Sequence, residues 1–594
     1  MENKETIKGG EFLIKETDPR HVFIPEDFDE EQRMIADTCS DFIKQEIEPN
    51  LERIEKQEEG LSKSLMEKAG ELGILGVSVP EEYMGFGKNF VTSMLTSEVI
   101  GGAHSFAVSI SAHTGIGTLP ILYYGNAVQR KKYVPNLATG VWKAAYCLTE
   151  PSSGSDANSG KTRAKLSDDG KHYIINGQKM WITNAGFADI FTVFAKIDDD
   201  ENLTAFIIEK DFGGITLNPE EKKLGIKGSS TRQVFFNDCK VPVENLLGER
   251  QGGFKIALNI LNIGRIKLAG SAIGGCKKII TSAVNYANER NQFGRPISKY
   301  GAIKHKLGEQ AIKVFASESA IYRCSQNIDD AIQAYIDAGV DKQKATLDGI
   351  SQFAAEAAIL KVHGSEVLDY VVDEGVQIYG GMGYSAEAPM ESAYRDARIN
   401  RIFEGTNEIN RMLTVDMLLK KAMKGELDLM GPAQDVAKEL MSIPDFGAGS
   451  DDIFEQAHET VKKFKKAILM VAGSAAQKLM MQLAKEQEIL MNIADMAIET
   501  YVAESILLRV EKLALTNDKA AIQNQIDMMN VYLYDAADKI NKAGKDAINS
   551  FVEGDELRIM QMGLKRFTKQ QPFNVKDARR NVADKLISEN KYCY

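Results

Sequence analysis

Residues 171–186 read "KHYIINGQKMWITNAG", and their texture decides the fold class. Ile174, Ile175, Trp181, Ile182 and Thr183 are β-branched or aromatic, the residue types that favour strands. Asn176–Gly177 lies between the two runs and predicts a hairpin turn. Downstream, "ADIFTVFAKI" (188–197), "LTAFIIEK" (203–210), "GITLNP" (214–219) and "RQVFFNDCKVP" (232–242) continue as short strands. The stretch from 146 to 248 therefore reads as a compact antiparallel β domain.

Outward from this domain the period changes to that of helices. Upstream, "EEQRMIADTCSDFIKQEIEPNLERIEK" (30–56) places Met34, Ile35, Thr38, Phe42, Ile43 and Ile47 on one side. "GAHSFAVSISAHTGIGTLPILYYG" (102–125) is apolar with many small residues and suits a buried helix. Downstream, "FKIALNILNIGRIKLAGSAIGGCKKIITSAVNYANER" (254–290) is a long helical pattern, with more helices to about residue 424. "GELDLMGPAQDVAKELMSIPDFGAGSDD" (425–452) is rich in Gly, Pro and Asp and reads as a linker. Strong helical patterns resume beyond it. The expected architecture is mostly α with a central antiparallel β domain and an appended C-terminal helical domain. Its parts are an N-terminal extension (1–26), a helical domain (27–145), the β domain (146–248), a helical bundle (249–428), a linker (429–450) and the C-terminal helices (451–594).

Composition narrows the function class. A chain of 594 residues is too long for one core. Its net charge of -12 argues against nucleic-acid binding, because phosphate repulsion goes unopposed. No run of apolar residues is expected to span a membrane, and the charged N-terminus lacks the apolar core of a signal peptide. The six cysteines are scattered without a CxxC pair, and the seven histidines show no ligand spacing. A reduced, cytoplasmic protein without a metal site is expected.

Five short stretches carry candidate chemistry. In "RIFEGTNEINRM" (401–412), Thr406 and Asn407 suit a helix cap and Glu408 suits its first turn. Capping does not explain Glu404, which sits between Phe403 and Gly405; it is either a solvated residue at the helix start or a partly desolvated base aimed at a ligand. "YCLTEPSSGSD" (146–156) is a polar turn whose hydroxyls and amides could meet a polar ring edge. In "MWITNAG" (180–186), Trp181 is a core aromatic or the cover of a flat ring, with Thr183 in reach of a ring nitrogen. "NERNQFGRPI" (288–297) is a helix C-cap or a pyrophosphate clamp, since Arg forms paired bonds to phosphate. "QIYGGMGY" (377–384) is a helix stop, or a place where backbone approaches a bulky ligand.

In this order, on a helix–β–helix framework, the five motifs resemble the acyl-CoA dehydrogenase family over about residues 30 to 424. The added helical domain resembles its very-long-chain branch. The resemblance implies FAD as cofactor, acyl-CoA as substrate and an electron-transferring flavoprotein as partner in fatty-acid β-oxidation. It sets Tyr146 and Thr149 along the flavin pyrimidine, Trp181 over one flavin face and Thr183 near N5. It sets Ser155 on the thioester arm. Arg290, Gln292 and Phe293, with Gln377, Gly380 and Gly381 as the other half, match a clamp on the FAD of a neighbouring subunit, so a homo-oligomer is expected, with a dimer preferred. Thr406 and Glu408 match positions near the adenosine. Glu404 matches the catalytic base. Some members carry the base on the long helix, directly before an arginine; here Gly264 precedes Arg265, which is left as a substrate-side residue. Val108, Ser111 and Ala112 match the floor of the acyl pocket, and their small size implies long acyl chains. Met84, Tyr300 and Gly301 depart from the family pattern. Alternatives are an acyl-CoA oxidase using O₂ and a scaffold protein that keeps the fold. The Lys-rich, apolar "KFKKAILMVAGSAAQKLMM" (463–481) raises a peripheral membrane contact.

Overall fold

The computed structural model describes residues 6–441 and 450–594. Helices dominate it: an N-terminal layer packs directly on a C-terminal bundle, and an eight-stranded sheet joins onto both. The first layer opens with the helix Glu30–Phe42, started by a capping box in which Asp29 and Gln32 exchange side-chain-to-backbone bonds. The face buried here is Gln32, Cys39 and Phe42, continued by Ile43 and Ile47 in a π-helical turn. Met34 and Thr38 are exposed, so the apolar stripe is shifted from the expected one. The small-residue stretch is helical throughout, as Ser105–Ser111, a π-helical segment Ala112–Gly117 and Leu119–Tyr124.

Eight strands form the central sheet: β1 Ala144–Cys147, β2 Arg163–Leu166, β3 His172–Thr183, β4 Ile190–Ile197, β5 Thr204–Glu209, β6 Ile215–Leu217, β7 Thr231–Pro242 and β8 Leu246–Leu247. The order is β6-β7-β3-β2-β4-β5-β8, with β1 also on β4. Most pairings are antiparallel, but β1 and β2 both run parallel to β4. The hairpin expected at Asn176–Gly177 is not there. β3 runs straight through, with a register shift against β7 between Ile175 and Gly177. Asn176 exchanges two bonds with Asp238 across the bulge. A Cβ at Gly177 would lie 2.4 Å from Thr162 Oγ1, so the glycine serves close approach within the sheet rather than chain reversal.

Behind the sheet, the bundle is built from Gly253–Glu289, Gly301–Asp337, Ala354–Tyr379 and Asn407–Met423. Beyond residue 450 the α-helices are Ile453–Leu479, Gln487–Ala514, Gln523–Phe551, Gly554–Phe567 and Val575–Glu589. They dock through buried charge pairs. Arg323 meets Glu504 at 2.8 Å, and Arg509 meets Glu318 at 2.6 Å. The N-terminal extension is part of this joint. Phe12, Leu13, Val22 and Ile24 are buried, Arg509 also pairs with Glu26, and Lys465 donates to the Lys15 carbonyl. Part of the expected linker is a helix, Met430–Leu440; residues 442–449 lie outside the described residues.

Three helical stretches are long and apolar enough to cross a membrane by length and composition, contrary to the sequence expectation: Ser105–Tyr124, Gly253–Glu289 and Ile453–Lys485. The most apolar window is 78% and 67% buried inside the protein in the first two, and 39% in the third. In the third, Phe464, Ala467, Ile468, Val471 and Ala475 face the protein's own core, while Met480 and Met481 are exposed.

Candidate functional site

Glu404 lies on the short link between the Arg398–Arg401 turn and the Asn407–Met423 helix. Its φ is 60° and that of Gly405 is 83°. Two successive left-handed residues turn the chain sharply, and only the second is a glycine, so the first stores strain. The carbonyls around the turn are clasped. Arg265 Nε donates to the Glu404 carbonyl at 3.2 Å. Asn410 Nδ2 reaches the carbonyls of Glu404, Gly405 and Thr406. Lys361 Nζ donates to the Gly405 carbonyl and to Asn407 Oδ1, both at 2.7 Å. Thr406 Oγ1 caps the following helix by accepting from Ile409 N. Among the described residues, nothing accepts from the Glu404 backbone N–H.

Glu404 has its carboxyl oxygen Oε2 buried and without a hydrogen-bond partner. Burial pushes its pKa up to about 7, against the opposing pull of Arg265 and Lys361. A carboxylate held near neutrality without a partner is suited to take a proton from a bound ligand. Space for it comes from the long helix. A Cβ at Gly264 would sit 2.7 Å from Glu404 Oε2 and 2.9 Å from Cδ. Gly264 therefore explains why the acid on the loop and a side chain on this turn of the helix exclude one another. Tyr146 is the carboxyl's other neighbour. Its buried hydroxyl is unpartnered, and burial, with the Glu404 charge, raises its pKa.

The sheet brings the two β-domain motifs together. Met180 N donates to the Thr149 carbonyl at 2.9 Å. The buried Lys179 ties the Leu148 carbonyl and Glu150, and Glu150 accepts from Lys161 N and Thr162 N, so the turn after Tyr146 is rigid. Trp181 stands at a second register shift of β3, with φ 60° and 51% of its surface exposed. It is not a core aromatic. Thr183 pairs with Thr231, and Asn184 Nδ2 donates to the Ser109 carbonyl, joining the sheet to the helix that carries Val108 and Ser111. Ser155 is exposed in the loop after β1.

The remaining motif residues gather elsewhere, at the end of the Gly253–Glu289 helix. Phe293 and Gly294 both have positive φ and turn a tight hairpin between Asn291–Gln292 and Arg295–Pro296. Tyr300 hydroxyl donates to the Gln292 carbonyl, which gives that departure from the family pattern a local use. Phe293 is 94% exposed and Tyr384 is 87% exposed; Arg290, Gln292, Gln377, Gly380 and Gly381 are exposed as well. The two halves are neighbours on one chain, because Tyr286 and Tyr379 stack at 4.0 Å. They do not have to come from different subunits to meet. Met84, where the family usually shows glycine, has φ 66°, so the backbone shape is kept at some strain.

Residues 29–141, 145–239 and 251–419 match the acyl-CoA dehydrogenase N-terminal, middle and C-terminal domains, and 463–566 match a second acyl-CoA dehydrogenase C-terminal domain. The chain belongs to the acyl-CoA dehydrogenase family. A probable acyl-CoA dehydrogenase of Bacillus subtilis is 45% identical over 98% of both chains. The very long-chain specific acyl-CoA dehydrogenase of Rattus norvegicus is 38% identical over 82% of this chain and 75% of its own. A Bacillus anthracis acyl-CoA dehydrogenase, solved in complex with FAD, superposes with a TM-score of 0.96 at 46% identity, covering 99% of this chain and all of that one.

Lys361, Asn410 and Lys179 were not found from the sequence. Lys361 and Asn410 hold the turn that carries Glu404, and Lys179 holds the turn after Tyr146. For Lys361 the sequence offered one signal, a lysine within the apolar run "AILKVHG".

Proposed function

We propose that this chain desaturates long-chain acyl-CoA thioesters between Cα and Cβ, in fatty-acid β-oxidation, with electrons passing on to an electron-transferring flavoprotein. The observation that carries the reading is the buried, unpartnered carboxyl oxygen of Glu404 in the space left by Gly264. Glu404 removes the α-proton as a carboxylate and becomes the neutral acid. Its free backbone N–H supports the reading by offering a donor for the charge that develops on the thioester oxygen. The residues present fit FAD. Trp181 offers an exposed indole at a strand bulge, Tyr146 an orphaned hydroxyl, and Gly380 and Gly381 open backbone where an added Cβ would meet nothing within 4 Å. FAD supplies the acceptor for the hydride that leaves Cβ, so the products are trans-2-enoyl-CoA and the two-electron reduced cofactor.

The exposed cluster of Phe293, Arg290, Gln377 and the Gly380–Gly381 pair supports a homodimer in which this end of one chain completes the cofactor site of the other. The 38% identity to a very long-chain specific enzyme, and the small side chains at Ser111 and Ala112, support long acyl chains. Each buried methylene contributes about 0.8 kcal/mol, so kcat/KM rises with length until the pocket ends. The test is turnover of acyl-CoAs of stepped length, with a flavoprotein acceptor compared against O₂. A profile that peaks at butyryl-CoA overturns the chain-length reading. Equal rates with O₂ overturn the choice of acceptor.

A further inference from the structure

A cleft of about 700 Å³ lies between the helix Asn407–Met423, which follows Glu404, and the C-terminal helices. Glu408 and Arg411 line one side of it. The start of Gln487–Ala514 lines the other, with Glu486, Glu488, Ile489 and Met491. The charge is one-sided. Arg411 is occupied by Glu366 at 2.8 Å and by Asp495 at 2.7 Å. Glu408, Glu486 and Glu488 are exposed, and among the described residues none of the three has an ion pair. Like charges on facing walls repel until a cation comes between them. An acidic wall alone names no occupant, but the other end of the molecule does.

The hairpin Asn291–Pro296 has the opposite character. Phe293 stands at its tip, 94% exposed. Arg290, Arg295 and Lys299 flank it, all exposed, and among the described residues none of them has an ion pair. Glu289 is the one carboxylate in the segment 289–300. The hairpin keeps its shape without a partner. Ile297 N donates to the Arg290 carbonyl at 2.8 Å, and the Arg295 guanidinium lies 4.2 Å from the centre of the Tyr300 ring. A protrusion already rigid loses little entropy on docking. Its apolar tip and cationic flanks complement a cleft that carries Ile489 and Met491 between three unpaired carboxylates.

A chain cannot fill its own cleft. Glu366 marks the cleft end of the helix Ala354–Tyr379 through its bond to Arg411. Tyr379 marks the hairpin end, because it stacks on Tyr286 at the hairpin's root. Thirteen residues separate the two, about 20 Å of helix. A two-fold axis resolves the mismatch: the hairpin of each chain meets the cleft of the other, and the contact is made twice.

We propose that this cleft is the socket for the Asn291–Pro296 hairpin of a second copy of the chain, so that the C-terminal helices form one wall of the dimer contact. The proposal rests on the homodimer reading given above and names the surface that receives the protruding end.

The experiment uses the flavin-loaded full chain and charge reversals that avoid the residues assigned to the cofactor. Arg295→Glu with Lys299→Glu alters the hairpin, and Glu486→Lys with Glu488→Lys alters the cleft. Dimer Kd is read by fluorescence-detected sedimentation over a dilution series at low and high salt. Flavin absorbance and thermal unfolding are read on the same samples. Either pair alone is expected to raise Kd by about tenfold or more at low salt, because each reversal acts at both contacts. Combining the pairs exchanges the signs and should bring Kd back to within about threefold of wild type, with all differences shrinking at high salt. If Arg295→Glu unsettles its own hairpin by leaving Tyr300, Lys299→Glu set against the cleft pair carries the same comparison. A dimer indifferent to both pairs overturns the proposal, leaves the homodimer reading standing and assigns the cleft to some other cation. A combined variant that dimerises more weakly than either parent also overturns it. Wild type that stays monomeric with its full flavin complement removes the homodimer reading, and this proposal with it.

Discussion

Gly264→Ala tests the geometry around Glu404 with a single methyl group. The new Cβ would lie 2.7 Å from Oε2, 2.9 Å from Cδ and 3.2 Å from Oε1, where ordinary contact begins at 3.4 Å. The carboxyl must retreat by about 0.7 Å, and a misplacement near 1 Å costs on the order of 100-fold in rate. The fold should not suffer. The obstructing atoms are the end of one flexible side chain, and replacing Gly by Ala inside a helix gains up to about 1 kcal/mol. The expected variant is therefore as stable as wild type or more so, keeps its flavin, and turns over acyl-CoA roughly two orders of magnitude more slowly. Thermal unfolding, flavin absorbance and anaerobic flavin bleaching by substrate read the three properties. A variant with wild-type bleaching rate refutes the placement of Glu404 against Gly264. A variant that loses stability and flavin together shows that the glycine serves packing instead.

Glu404→Gln should retain fold and flavin while losing at least about 10²–10⁴-fold in turnover, the usual worth of a general base; near-normal bleaching excludes Glu404. For wild type, kcat/KM should rise with pH through about 7, because the base must be ionised and its pKa stands there; a profile flat from pH 5 to 9 contradicts the assignment. The same shift has a stability consequence. A carboxyl whose folded pKa is raised above its unfolded value of 4.5 costs stability progressively as pH climbs from there to about 7, reaching roughly 3 kcal/mol above it. Glu404→Gln should thus match wild type in denaturant titrations at pH 4 and exceed it at pH 8; the opposite order would disprove the burial argument. Lys361→Met removes one of the two cations that pull the Glu404 pKa down, so the ascending limb of kcat/KM should move to higher pH; a limb that stays in place makes Lys361 merely structural. Arg290→Ala should lower the flavin content of purified protein, read from the visible absorbance, and a full flavin complement removes Arg290 from the clamp.

The parts of this site that the sequence revealed are those whose reasons are local. Thr406 is legible as a cap because a cap is a relation across three residues, and Glu404 stands out because capping leaves it unexplained. Asn176–Gly177 misled for the complementary reason. The pair is a good turn by local rules, but the glycine answers to Thr162, and only the assembled sheet supplies that neighbour. Lys361 lies 44 residues from the carbonyl it holds, and no spacing rule links them. The N-terminal extension gave no periodic signal, because it is built of short turns whose buried residues insert between two helical layers.

The strain and burial at Glu404 have one physical logic. A carboxylate in water is too well solvated to be a strong base, and one paired with Arg265 would be weaker still. Here the guanidinium of Arg265 is engaged by the Glu404 carbonyl and by Asn262 Oδ1, not by the carboxyl. The nearest cations thus fix the backbone that carries the acid and leave its oxygens free. That arrangement needs a left-handed residue at 404, so that carbonyl and side chain separate, and a bare helix surface at 264 to receive the side chain. Each requirement costs stability or sequence freedom, and together they leave a carboxyl that can change protonation state near neutral pH without rearranging its surroundings.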